Sequence, residues 1–92
     1  MTCNNGDYMG CKNLAHLYHG GLGVEKDITL SAQYLDKACS LGGANQCKSL
    51  GRMFEKGKDV VKDISLAREY YKKACDLNPK VGCEAYERLK NQ

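Results

Sequence analysis

Six cysteines stand at positions 3, 11, 39, 47, 75 and 83, so the intervals between them read 8, 28, 8, 28 and 8. The chain therefore repeats every 36 residues, and other side chains keep the same register. Sliding residues 3–38 onto 39–74 superposes Gly6 on Gly42, Cys11 on Cys47, Lys12 on Lys48, Leu14 on Leu50, Gly21 on Gly57 and Val24 on Val60. It also lays Lys26-Asp27-Ile28 on Lys62-Asp63-Ile64, and Leu30, Tyr34, Lys37 and Ala38 on Leu66, Tyr70, Lys73 and Ala74. A period of this length marks stacked supersecondary units, each too small to bury its own apolar face without a neighbour.

Within one unit the apolar spacing is that of a helix pair. Cys11, Leu14, Tyr18 and the Gly21-Leu22 pair step by three and four, as do Cys47, Leu50, Phe54 and Gly57 in the next copy. Such a stripe is one face of an amphipathic helix, termed A. Gly20-Gly21-Leu22-Gly23 and Gly57-Lys58-Asp59 supply the breaks, because glycine accepts the positive φ that ends a helix. Asp27 and Asp63 stand where an N-cap carboxylate takes a free amide. Helix B follows over about Ile28–Leu41 and Ile64–Leu77, with Ala32, Leu35 and Cys39 on its inner face. Ala15 and Gly51 read as small packing sites on helix A. The third copy is half a unit: Pro79 suits the first helical position, and Val81, Cys83, Tyr86 and Leu89 sketch a last helix A. Glu87 and Lys90 replace packing residues there, as a capping unit requires, which favours a true C-terminal end.

The expected architecture is all-α, about two and a half 36-residue repeats with helices A1-B1-A2-B2-A3. It forms a single domain over residues 1–92, with repeat 1 at about 3–38, repeat 2 at about 39–74 and a half-repeat cap at about 75–92. A chain of 92 residues buries only about 60–65% of its unfolded surface, so staples are expected. Six cysteines allow fifteen pairings, but the period narrows them. Each Cys-x7-Cys sets one thiol in the last turn of a helix B and the other in the first turn of the next helix A. This predicts Cys3–Cys11, Cys39–Cys47 and Cys75–Cys83 bridges. Closing such a loop is worth about 2.5 kcal/mol in the chain-entropy account.

Metal binding fits less well. Zinc cysteines come as C-x2–4-C, and His16 and His19, three apart on helix A, have no evident third ligand. No C-x-x-C redox motif occurs, and no cofactor is expected. Structural bridges point to an oxidising compartment, a secreted or periplasmic setting. The start Met1-Thr2-Cys3-Asn4-Asn5 has neither the basic head nor the apolar stretch of a signal peptide, so an export signal is expected to lie outside this chain. No apolar run approaches the roughly 20 residues of a membrane span, and 42% hydrophobic with 27% charged residues argues against disorder. The formal charge of +3 collects in residues 39–74, which hold eight basic and four acidic side chains. Lys48, Arg52, Lys56, Lys58, Lys62, Arg68, Lys72 and Lys73 are interleaved with Glu55, Asp59, Asp63 and Glu69. That is the pattern of a solvated helix face rather than of a nucleic-acid-binding surface.

Helix A as Cys-x-x-Leu-(Gly/Ala)-x-x-(Tyr/Phe)-x-x-Gly, then Gly-Val-x-Lys-Asp, then Tyr-x-x-Lys-Ala-Cys at residues 34–39 and 70–75, resembles the Sel1-like repeat. With Cys-x7-Cys at each junction it is most similar to the Helicobacter cysteine-rich proteins, a secreted branch. Asp59-Val60 departs from the Gly-Val of the first loop, and most relatives carry more repeats. The resemblance implies a right-handed α/α superhelix related to tetratricopeptide arrays, working as an adaptor or host-interacting protein. Penicillin binding and weak β-lactam hydrolysis are attributed to some members.

The residues bear on three functions. As a binding module, the chain would use helix-A positions outside the packing stripe: Asn13, His16 and Leu17, then Ser49, Arg52 and Met53, then Ala85, Arg88 and Leu89. Two arginines, a histidine and an apolar floor suit a protein or extended peptide, or an anionic group such as a carboxylate. As a β-lactam hydrolase it would need Ser-x-x-Lys. Ser31, Ser40, Ser49 and Ser65 are instead followed three residues on by Tyr34, Gly43, Arg52 and Arg68, so no catalytic residue is assigned. As a structural or immunity-type partner, it would use the apolar end near Cys3, where a preceding helix B is missing, to associate.

Overall fold

The computed structural model describes residues 3, 8–57 and 59–91; Gly6, Lys58 and the extreme N-terminus lie outside the described residues. Five helices follow in order: α1 (Tyr8–Gly20), α2 (Ile28–Ser40), α3 (Ala44–Lys56), α4 (Ile64–Leu77) and α5 (Pro79–Leu89). α1, α3 and α5 are the A helices, α2 and α4 the B helices. Each packs chiefly on its sequence neighbours, so the helices stack in order into a body of 40 × 26 × 15 Å.

The start signals act as the sequence predicts. The Asp27 and Asp63 side chains accept from the amides of Leu30 and Leu66, each at 3.0 Å, and Asn78 accepts from Lys80 just before Pro79 opens α5. Gly21 and Gly57 both take positive φ, 66° and 67°, a conformation costly for residues with a Cβ. Asp59, where the first loop has Gly23, accepts the same left-handed region at φ 65°.

Each A–B hairpin is closed twice in the same way. The amides of Asp27 and Asp63 donate to the carbonyls of Tyr18 and Phe54. Tyr18 stacks on Tyr34 and Phe54 on Tyr70, with ring centroids 5.9 and 6.0 Å apart. Cys39–Cys47 and Cys75–Cys83 then join each B helix to the next A helix, and Cys3–Cys11 ties Cys3, which precedes the first helix, to α1, with Cα separations of 4.8, 4.3 and 4.5 Å, within or at the edge of the range a disulfide spans. Cys11 and Cys47 are wholly buried, so the first two bridges belong to the core, whereas Cys75 and Cys83 are partly exposed. One buried cluster joins Cys39, Cys47, Leu50 and Ala74, and a second joins Ala67, Tyr71 and Leu89.

One expectation changes. Leu89 was grouped with the outward positions of helix A; it is fully buried under Tyr71 and Ala67, because the end of α5 closes the last layer. Gly51 is a packing site, and what it admits is the Tyr71 ring of α4. A Cβ there would sit 2.7 to 3.0 Å from three atoms of the Tyr71 ring. Glu87 and Lys90 are exposed and paired with each other at 3.0 Å.

Candidate functional site

The A helices carry a run of adjoining depressions. The first is a cavity of about 300 Å³ where α1, α2 and α3 meet, lined by Lys12, Ala15, His16, His19, Ser31, Leu35, Gln46, Ser49 and Met53. It exists because α1 and α3 scarcely touch, whereas α3 and α5 are in contact. Ala15 and Leu35 leave the space that Tyr71 fills opposite Gly51 one unit later.

The polar groups of this cavity are unequal. Ser31, fully buried, donates from Oγ to the Ala15 carbonyl at 2.7 Å, tying α2 to α1. Ser49 donates to the Asn45 carbonyl within its own helix. Gln46 is only 7% exposed, yet its side chain reaches the cavity and has no partner there. No buried side-chain nitrogen or oxygen among the described residues lacks a partner, so this amide reaches solvent through the cavity and is open to a ligand or to water.

The second depression, about 120 Å³, shares His19 and Met53 with the first and adds Arg52, Lys56 and Asp59. The third, about 200 Å³, shares Arg52 and adds Lys48, Lys80, Glu84, Arg88 and the edge of Tyr71. Arg88 does not stand free: both guanidinium nitrogens engage the Glu55 carboxylate, Nη2 reaching Oε1 at 2.9 Å. The Tyr71 hydroxyl donates to the same Oε1 at 2.8 Å. Arg88 chiefly, helped by this hydroxyl and opposed by burial, holds the Glu55 carboxyl at about 2. Burial first, and then its bond to Glu55, pushes the Tyr71 phenol up to about 12.

Of the residues expected to line a groove, His16, Ser49 and Met53 share the first cavity. Arg52 joins Met53 in the second, and Arg88 lies in the third. Asn13 and Leu17 line none of the three. Gln46, Ser31 and Leu35 also line the first cavity and lie outside the expected groove. All three stand where the units disagree, against Gly82, Ala67 and Tyr71 thirty-six residues on, and that disagreement was the available signal. Among the described residues no three His, Cys, Asp or Glu side chains converge as a metal site. No helix among them is long and apolar enough to cross a membrane.

Across the B helices runs a separate, more open hollow lined by Ala32, Leu50, Phe54, Val60 and Tyr70. Tyr70 closes one side by donating to Asp36 at 2.8 Å. Burial and that bond push its phenol up to about 12.

No curated protein matches the chain. Among solved structures, the Helicobacter pylori cysteine rich protein B is 37% identical with a TM-score of 0.77, over 85% of this chain and 59% of that one. A Sel1 repeat protein from Oxalobacter formigenes is 34% identical with a TM-score of 0.76, over 98% of this chain and 65% of that one. The chain thus spans about three-fifths of the length of these relatives. The Sel1 repeat sequence model matches residues 9–43 and 47–79. With the five stacked helices and the repeated hairpin closures, these matches place the chain in the Sel1 repeat family, as a disulfide-stapled α/α solenoid.

Proposed function

We propose that the protein is a binding module whose A-helix face takes an extended peptide segment of a partner protein, outside the reducing cytoplasm. The observation that carries this reading is the cavity between α1 and α3, where the solvent-reached Gln46 amide, with no side-chain partner among the described residues, shares the lining with the apolar Leu35 and Met53. Mixed linings of this kind recognise a peptide through one apolar anchor and a few backbone hydrogen bonds. Protein interaction is the usual role of Sel1 repeats, which agrees. Three disulfides support a secreted or periplasmic setting, where such bonds persist. The charge along the face favours an anionic partner: Lys12, Lys48, Arg52, Lys56 and Lys80 outnumber Asp59 and Glu84, with Arg88 already paired to Glu55.

The test is peptide selection on the oxidised protein, followed by affinity measurement on two variants. Ser49→Trp, at an exposed position on the cavity rim, should weaken selected peptides at least about tenfold by filling the site. Lys72→Ala, on the exposed side of α4, should leave them unchanged. Equal effects of the two would remove the assignment. Nitrocefin turnover well above that of an Arg52→Ala control would replace binding with hydrolysis as the preferred function.

A further inference from the structure

The two seams between successive A helices use the same positions and are closed differently. Between α3 and α5, the carboxylate of Glu55, with a side chain only 17% exposed, is held by Arg88 and by the Tyr71 hydroxyl. Thirty-six residues earlier, the counterparts of Arg88, Glu55 and Tyr71 are Arg52, His19 and Leu35. The guanidinium is kept and the carboxylate is lost. Arg52 and His19 still face one depression, and Arg52 has no hydrogen-bond or ion-pair partner among the described residues. Asp59 shares that depression without pairing to Arg52, and Lys56 offsets its charge. The depression opens into the larger cavity through His19 and Met53, beside the buried Gln46.

We propose that the open seam is a carboxylate subsite. The acidic side chain of a bound peptide lies between His19 and Arg52, in the place Glu55 occupies in the closed seam, with a neighbouring apolar side chain on Leu35 and Met53. Arg donates to a carboxylate through two parallel N–H groups, and the second seam shows that this scaffold positions an arginine on α5 for that geometry. The first seam differs by offering it to a ligand. This proposal rests on the reading of the A-helix face as a peptide groove.

The test is an NMR titration of the isotope-labelled, oxidised chain with acetylated, amidated Ala-Leu-Glu-Leu-Ala and its Gln counterpart. A third peptide carries Gln and a free C-terminus. The Glu peptide should shift the Arg52 side-chain signals and bind about fivefold more tightly than the Gln peptide, as a half-exposed ion pair allows. Arg52→Gln should abolish that difference, and Lys72→Ala should preserve it. His19→Glu, which installs the missing carboxylate within the chain, should abolish the preference and raise the thermal midpoint by several degrees. Equal binding of the Glu and Gln peptides at Gln46 and Ser49 would leave the groove standing and remove the carboxylate subsite. Preference for the free C-terminus alone would overturn the side-chain assignment. Absence of shifts at Gln46 and Ser49 with every peptide would overturn both readings.

Discussion

Gly51→Ala puts the packing of the second unit to a sharp test, because helix propensity and core space pull in opposite directions. Replacing a glycine inside a helix by alanine ordinarily stabilises by about 1 kcal/mol. Here the new Cβ would come within 2.7 to 3.0 Å of three Tyr71 ring atoms. That ring is 1% exposed and held by its hydroxyl to Glu55, so it cannot swing away. Overpacking of this kind costs about 1–3 kcal/mol. The net expectation is a loss of about 1 kcal/mol, or a fall of about 4–8 °C in Tm for a domain of this size. In a Tyr71→Leu background the obstruction is gone, as it is in the first unit where Ala15 stands with Leu35. Gly51→Ala should there become stabilising by up to about 1 kcal/mol, a coupling of about 2 kcal/mol between the two sites. Urea unfolding of the wild type, both single variants and the double variant under non-reducing conditions measures it, with the m value checking for a common unfolded state. Stabilisation by Gly51→Ala in both backgrounds would refute the steric argument.

Two further outcomes follow from the same contacts. Glu55 has its carboxyl lowered to about 2 from an ordinary 4.5, so its contribution is fully present above about pH 5 and is lost as pH falls through about 2. Because Arg88 is half exposed, that contribution is about 1 kcal/mol after solvent screening; urea midpoints between pH 2 and 6 should fall more steeply in the wild type than in Glu55→Gln, and parallel curves would contradict it. Asp27→Ala and Asp63→Ala should each cost about 1 kcal/mol by removing an N-cap bond, and the double variant should cost their sum, since the caps stand on separate hairpins; a strongly non-additive result would show the hairpins to be coupled through more than packing.

What the sequence disclosed was whatever the two units share. Cys-x7-Cys, Asp27 and Asp63, Gly21 and Gly57, and the Tyr18–Tyr34 and Phe54–Tyr70 pairs are local or nearly local devices, so their spacing alone predicts what they do. The cavity was less legible because it arises from a mismatch between units. Leu35 is an unremarkable apolar residue of helix B until its counterpart Tyr71 is seen to fill the next layer. Likewise Arg52 and Arg88 look alike on a helical wheel, and only the packing of α5 on α3 gives Arg88 a partner in Glu55 while Arg52 has none among the described residues. Leu89 was misplaced for the same reason: its burial depends on Tyr71, a residue 18 positions away on another helix.

That three local disulfides staple this stack and fit it to an oxidising compartment is tested most directly by mass spectrometry of an unreduced proteolytic digest, with free-thiol titration of the native protein alongside. Cross-linked peptides joining Cys3 to Cys11, Cys39 to Cys47 and Cys75 to Cys83, with no titratable thiol, are the expected result. Six reactive thiols in a still-folded chain, or bridges that skip between units, would contradict it.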